Sequence, residues 1–267
     1  MNTREATKIE IPYPETEAPL KLRISVGACR LRVSPAEGRE RAGDWVTGTY
    51  EDPGGGLASK IVDDGSGTVR ITQKGSLSAL KTPFAGVPRM DLALGKERPF
   101  ALTVETGASD SVLGLGGLPL TSLVLKKGAG KSEVDFPEPN PVEMERIDIN
   151  AGAVTLVMRN LANANFSRMS LDGGAATYDF DFGGELRRDA EVRLTAGASL
   201  VKVKMPAATA ARIVPGSVLG SLDIGDGLTK KEGAFWTEAA LAGRTPVIKV
   251  TASMALGSLS LQVTGGV

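Results

Sequence analysis

The sequence predicts an all-β protein: a β-helix or related β-solenoid of Gly-Ala-cornered coils with a small β-hairpin-containing N-terminal unit. Three observations predict it. Alternating apolar runs recur on either side of a Gly-Ala pair, the recurrences are spaced by about 22 residues, and 33 of the 267 residues are glycine while only 4% are aromatic. A chain of this length has room for one large domain or two small ones, with a real core in either case.

The copies read, in order, LRISVGACRLRV around Gly27, LTVETGASDSVLGL around Gly107, LVLKKGAGKSEVDF around Gly128 and IDINAGAVTLVM around Gly152. MSLDGGAATYDFDF follows around Gly174 and VRLTAGASLVKVKM around Gly197. Two further copies, IVPGSVLGSLDI at Gly216 and IKVTASMALGSLSL at Ser253, match each other through VLGSLDI and ALGSLSL. From Gly107 to Gly216 the steps are 21, 24, 22, 23 and 19 residues.

Aligned on that glycine, the positions five and three before it are apolar: Leu22/Ile24, Leu102/Val104, Leu123/Leu125, Ile147/Ile149, Met169/Leu171, Val192/Leu194 and Ile248/Val250. Six positions after it stand Val33, Leu113, Val134, Met158, Phe180, Val203, Leu222 and Leu259. Period-two alternation is the pattern of a half-buried strand. The residue after the glycine is Ala in six of eight copies, and the next is small, which suits a tight inward corner where glycine takes an unusual backbone angle. Two strands about a corner cannot bury their apolar faces alone, so stacked coils would share one interior. An antiparallel sandwich is the competing reading, since it also has many short strands and turns. Seven positions after the glycine, from the third copy on, Asp135, Arg159, Asp181, Lys204 and Asp223 would form an outward ladder of alternating sign if coils stack in register.

Two segments interrupt the period. About sixty extra residues separate the first two copies, where DWVTGTYE alternates, DPGGG turns and TVRITQ alternates again, as in a hairpin-containing cap. Trp45 and Tyr50 fall on opposite phases of that run, so one is expected inside and the other outside. The second interruption, residues 225–246, holds EGAFWTEAAL, readable as a short helix or a flap. The organisation expected is therefore residues 1–100 as the N-terminal unit with the first coil and hairpin, and residues 101–267 as the solenoid body.

The segments EIPYPETEAPLKLRISVGACRLRVSPAEG, WVTGTYEDP and TVRITQKG resemble the N-terminal module of the toast-rack family of bacterial envelope proteins, which is related to Lia-type envelope-stress proteins and β-helical adhesin domains. The later Gly-Ala coils resemble that family's β-helical body, so the resemblance covers nearly the whole chain. It implies a place on the outer side of a bacterial membrane, in the cell envelope, behind an anchor this chain does not show. It brings no catalytic residues and no cofactor.

Composition narrows the chemistry. Lys plus Arg and Asp plus Glu both number 31, a balance that argues against a nucleic-acid binder. With no histidine there is no Ser–His or Cys–His dyad and no His-ligated zinc, and one cysteine, Cys29, forms no internal disulfide. Cys29 reads as a buried structural thiol. No apolar run approaches a membrane span, and no metal site is expected; Asp63-Asp64-Gly65 reads as a turn. Asp179 and Asp181, facing Lys202 and Lys204 one coil on, read as a salt-bridge ladder or as a charged carbohydrate site. GLGGLPL at 114–120 reads as a coil turn, Lys126-Lys127 and Lys230-Lys231 as solvated loops, and Asn165-Phe166-Ser167 fits a glycosylation triplet.

Phe235 and Trp236, rare aromatics inside the period-breaking insert, are the candidate binding residues; the alternative is that both fold inward and seal the end. The expected function is a non-enzymatic extracytoplasmic scaffold, adhesion or envelope-sensing domain whose partner is a protein or cell-envelope component. The alternatives are a carbohydrate-binding or carbohydrate-active β-helix, and a structural protein that self-associates through its solenoid ends.

Overall fold

A computed structural model describes residues 6–37, 43–53, 57–63, 65–75 and 86–265. The glycines of the DPGGG turn and Asp64 lie outside them. The first seven strands are β1 (Thr7–Pro12), β2 (Leu20–Val26), β3 (Arg30–Pro35), β4 (Asp44–Glu51), β5 (Leu57–Asp63), β6 (Thr68–Gly75) and β7 (Arg89–Leu94). Next come β8 (Phe100–Ala108), β9 (Asp110–Gly114), β10 (Leu120–Asp135), β11 (Met144–Arg159), β12 (Phe166–Gly173) and β13 (Thr177–Asp181). The chain ends through β14 (Ala190–Pro206), β15 (Ala210–Ile224), β16 (Leu228–Lys231), β17 (Ala234–Thr237), helix α1 (Glu238–Leu241) and β18 (Val247–Thr264). The protein is thus nearly all β, with its strands joined in one large sheet.

Most pairing is parallel and in register. Partners lie 21 residues apart at Ala108/Ala129, 24 at Ala129/Ala153, 22 at Ile149/Leu171 and 23 at Leu171/Leu194. Each rung repeats the alternation of the one beneath it, so apolar side chains form continuous columns. The inward positions expected before the corner glycine are all buried, from Leu22 and Ile24 to Ile248 and Val250. Each large aliphatic side chain so buried contributes about 1.5–3 kcal/mol. Between rungs, Asn140 and Asn163 donate from Nδ2 to Leu120 O and Phe136 O at 2.8 and 2.9 Å, holding the turns that return the chain.

The rungs do not stack in chain order at either end. β2 and β3 lie between β6/β7 on one side and β8/β9 on the other. At the far end β18 inserts between β14 and β15. This corrects the charge ladder. Asp135 lies across from Arg159 and Asp181 from Lys204, but the next residue across from Lys204 is Gln262, while Asp223 faces Ser260. The ion pairs run diagonally instead, Arg159–Glu133 at 3.3 Å and Lys204–Asp179 at 2.9 Å. The match of VLGSLDI with ALGSLSL is real, Gly220 lying across from Gly257 and Leu222 from Leu259. The anchor of the last copy is not Ser253, since Ala196 pairs with Met254 and Ala198 with Leu256. Leu222, expected inside, is 41% exposed because β15 is the outermost rung there and, among the described residues, no further rung covers it.

The corner glycines do line up. A Cβ added to Gly107 would lie 2.6 Å from the carbonyl oxygen of Gly27, one on Gly128 3.2 Å from that of Gly107, and one on Gly174 3.0 Å from that of Gly152. Gly152 stands in the same way against Gly128, while a Cβ on Gly197 would meet the Gly174 carbonyl at an ordinary contact distance of 3.4 Å. Their backbone angles are ordinary, contrary to expectation; what excludes a side chain at Gly107 and Gly152 is the adjacent rung's carbonyl.

Antiparallel strands flank both ends. β5 pairs with β6, β4 with β7 and β1 with β4. Trp45 is fully buried, stacked on Tyr13 at 5.9 Å and edge-on to Phe100 at 5.5 Å. Tyr50, on the other phase, is buried as well, with Gln73 Nε2 donating to its hydroxyl at 3.3 Å, so both aromatics are inside. At the other end the insert forms a β16–β17 hairpin and one turn of helix capped by Thr237, and β17 covers β15 only at Arg212 and Ile213.

Candidate functional site

Two surfaces gather polar side chains. The first is a shallow open groove of about 800 Å³ whose floor is the glycine column from Gly27 through Gly174. Its rim is the outward column two residues before each glycine: Ser25, Glu105, Lys126, Asn150 and Asp172. Lys126 Nζ donates to Glu105 at 3.1 Å, and this bond holds the Glu105 carboxyl below the usual range.

Lys127, expected in a solvated loop, instead points inward. It occupies the same phase as Val26 and Thr106, is 9% exposed, and its Nζ donates to Ser109 O at 2.5 Å and to Ser109 Oγ at 3.3 Å. Beside it, Ser111 and Ser132 share a buried hydroxyl hydrogen bond. Burial holds the Lys127 ammonium below its ordinary value, with Asp110 opposing weakly. The unfolded chain therefore binds more protons between the depressed folded pKa and the ordinary 10.5, and stability rises with pH across that window. Lys127→Met is expected to stabilise the fold by about 1 kcal/mol near neutral pH. Urea midpoints of both proteins should converge as pH rises through the window. A variant less stable than wild type at neutral pH would contradict the assignment.

Asp179 and Asp181 lie across from Lys202 and Lys204, and the half-buried Lys204–Asp179 pair makes this a cross-rung ion pair. Burial pushes the Cys29 thiol up to about 12, and with 1% exposure it is an inert part of the core. Asn165 donates from Nδ2 to Val142 O at 2.9 Å and takes the left-handed conformation, φ 55°, so its amide serves the turn. Lys230 and Lys231 are exposed on β16. Among the described residues no three acidic or sulfur side chains converge as metal ligands, and no helix is long and apolar enough to cross a membrane.

The second surface lies on the outer face of the later rungs, a depression of about 450 Å³. Arg146, Arg168, Glu191, Lys249 and Arg212 stand across from one another in register on five successive rungs. Trp236 pairs with Arg212 and continues that column, with the guanidinium 5.4 Å from its ring centre. Its indole N–H donates to Lys231 O at 3.1 Å, fixing the ring. Phe235, on the opposite phase, is 8% exposed and packs into the core with Lys230 Nζ over its ring. The two aromatics of the insert thus part company: Phe235 seals the end of the stack and Trp236 stays half-exposed at the edge of the basic column. Sequence reading missed that column, although every member has the outward phase of its strand.

The family model described as the N-terminal domain of toast_rack, DUF2154, matches residues 1–157. No curated protein matches the sequence. Among solved structures, a provisionally named cell adhesion protein from Clostridium sporogenes ATCC 15579 is 12% identical, with a TM-score of 0.46 over 97% of this chain and 100% of that one. A provisionally named adhesin from Bacteroides fragilis NCTC 9343 is 9% identical, TM-score 0.49, over 97% and 98% of the two chains. A provisionally named lipid binding protein from Parabacteroides distasonis ATCC 8503 is 10% identical, TM-score 0.44, over 99% and 98%. With its first 157 residues matched, more than half its length, this chain belongs to the toast-rack family.

Proposed function

We propose that this protein is a non-enzymatic binding domain, an adhesion or scaffold module held outside the cytoplasm in a bacterial envelope, whose coils form a β-solenoid. The observation that carries the reading is the groove along the glycine column. It is long, shallow and floored by backbone, so it offers an extended surface to a partner rather than an enclosed pocket to a small substrate. A rim alternating Glu105, Lys126, Asn150 and Asp172 would select the partner by hydrogen bonds and charge. The test is retention of purified bacterial envelope fragments on immobilised protein. Filling the groove with Asn150→Trp and reversing Asp172→Arg should cut retention about tenfold at unchanged melting temperature. Undiminished retention would overturn the groove as the binding surface.

A second reading, self-association through the end of the stack, is favoured by β15. Beyond Ile213 that strand pairs, among the described residues, only with β18, and Leu219 and Leu222 beside its outer edge are 65% and 41% exposed. Unpaired strand edges invite another strand. Sedimentation should then show association that Leu219→Lys abolishes; a monomer at all concentrations would remove this reading.

A further inference from the structure

We propose that the basic face ending at Trp236 binds an acidic polysaccharide, a linear glycan carrying carboxylates such as a polyuronate. The proposal concerns a different surface from the glycine groove and stands without it. Five cations, Arg146, Arg168, Arg193, Lys249 and Arg212, line this depression against only two carboxylates, Asp148 and Glu191, in a protein whose formal charge is zero. The concentration of positive charge is therefore local.

The cations differ in how far they are already neutralised. Arg146 Nε pairs with Asp148 at 3.0 Å, and Arg168 pairs with Glu145, just outside the depression, at 3.2 Å. Arg212 rests on Trp236. Among the described residues Arg193 and Lys249 make no ion pair, and both are exposed. Arg193 lies across from Ser170 on one side and Thr251 on the other, and Lys249 sits between Glu191 and Arg212. In-register stacking sets these groups about 4.8 Å apart along the stack. The result is a row of cations interspersed with hydroxyls and carboxylates and closed by an aromatic ring.

That mixture selects among polyanions. Ser170 Oγ already donates to Asp148 at 2.8 Å, so the polar groups left to a ligand are Glu191 and Thr251, which find partners among a glycan's hydroxyl groups, while Arg193 and Lys249 meet its carboxylates. A half-exposed indole, held by its bond to Lys231 O, offers a flat apolar surface for a sugar ring. A DNA backbone presents phosphate acceptors with no sugar hydroxyl to donate to Glu191, whereas each uronate residue carries hydroxyls beside its carboxylate. An anionic bilayer meets the carboxylates of Asp148 and Glu191, and the depression's own apolar side chains, Met169 and Val192, are buried.

Oligogalacturonate is the probe, titrated into the full chain by calorimetry at low ionic strength, with a neutral galactan of equal length as reference. Oligogalacturonate is expected to bind at least about tenfold more tightly than the neutral chain. The double variant Arg193→Glu/Lys249→Glu should abolish that preference at unchanged melting temperature, because neither residue holds an internal partner. Trp236→Ala should weaken binding about fivefold to tenfold, and Trp236→Phe should restore most of it. Equal affinity for the neutral galactan, or binding undisturbed by the charge reversal, would overturn the proposal. So would equal affinity for a single-stranded oligonucleotide or for anionic lipid vesicles, which would show charge without sugar recognition. None of these outcomes bears on envelope retention through the glycine groove, which the Asn150→Trp/Asp172→Arg variant reports separately.

Discussion

Gly152→Ala is expected to destabilise the protein by about 2–3 kcal/mol, a large effect for one methyl group on the outer surface of a strand. The reason lies one rung away. The added carbon would strike the Gly128 carbonyl, which is backbone and belongs to the parallel ladder joining β10 to β11. Relief requires the two rungs to separate or shear, and every column above and below is built on their register. The neighbouring Asn150→Ala, an exposed outward residue on the same strand, should change stability by no more than about 0.5 kcal/mol. Thermal unfolding of the pair is the check. For a chain of this size the glycine variant should melt roughly 5–10 °C lower, and equal melting temperatures would mean the glycines are not in close contact along the stack.

Trp45→Ala should cost about 3–5 kcal/mol. The indole fills the space between the loop bearing Tyr13 and the phenyl group of Phe100, so its removal leaves a cavity where the N-terminal strands join the rungs. Its Nε1 has no hydrogen-bond partner among the described residues. Trp45→Phe therefore removes an unsatisfied buried donor along with part of the volume, and the two effects offset each other. Chemical denaturation should place Trp45→Phe much closer to wild type than Trp45→Ala. If the two variants were equally damaging, the indole N–H would have a partner and the packing account of this end would be incomplete.

The interior of the stack was legible in the sequence because parallel register copies one strand's alternation onto the next. Once Ile147 and Ile149 are aligned with Met169 and Leu171, their shared direction follows from the period of two. Lys127 shows how the same rule was under-used. Two adjacent lysines look like a solvated loop, yet the second has the phase of Val26 and Thr106, and that phase alone places it inside. Trp45 and Tyr50 show where the rule stops. Alternation assigns one face to the core, but in β4 the chain around Tyr13 covers the second face, a long-range contact that no local pattern encodes.

Strand order was the largest gap, and it hid the basic face. Lys249 and Arg212 are 37 residues apart, and Lys249 and Glu191 are 58 apart, yet all three are neighbours because β18 enters between β14 and β15. The similarity of VLGSLDI to ALGSLSL pointed to two adjacent rungs without saying which lies outside. What decides it is the insert, whose hairpin holds Arg212 and Ile213 from the far side and leaves the inner edge of β15 to the last strand. Hydrophobic pattern carries facing; it does not carry the order of rungs that present identical edges.

The stacking itself is tested most directly by engineered disulfides, since two cysteines close only when their Cα atoms are within about 7 Å. Cys29 is buried and will not compete. Thr155→Cys with Thr177→Cys, and Lys202→Cys with Ser260→Cys, are direct cross-rung partners and should oxidise to completion under mild conditions. Lys204→Cys with Asp223→Cys, which chain order would make neighbours, should remain reduced because β18 stands between them. Mass mapping that found the third pair joined and the first two open would show a different arrangement of coils from the one described.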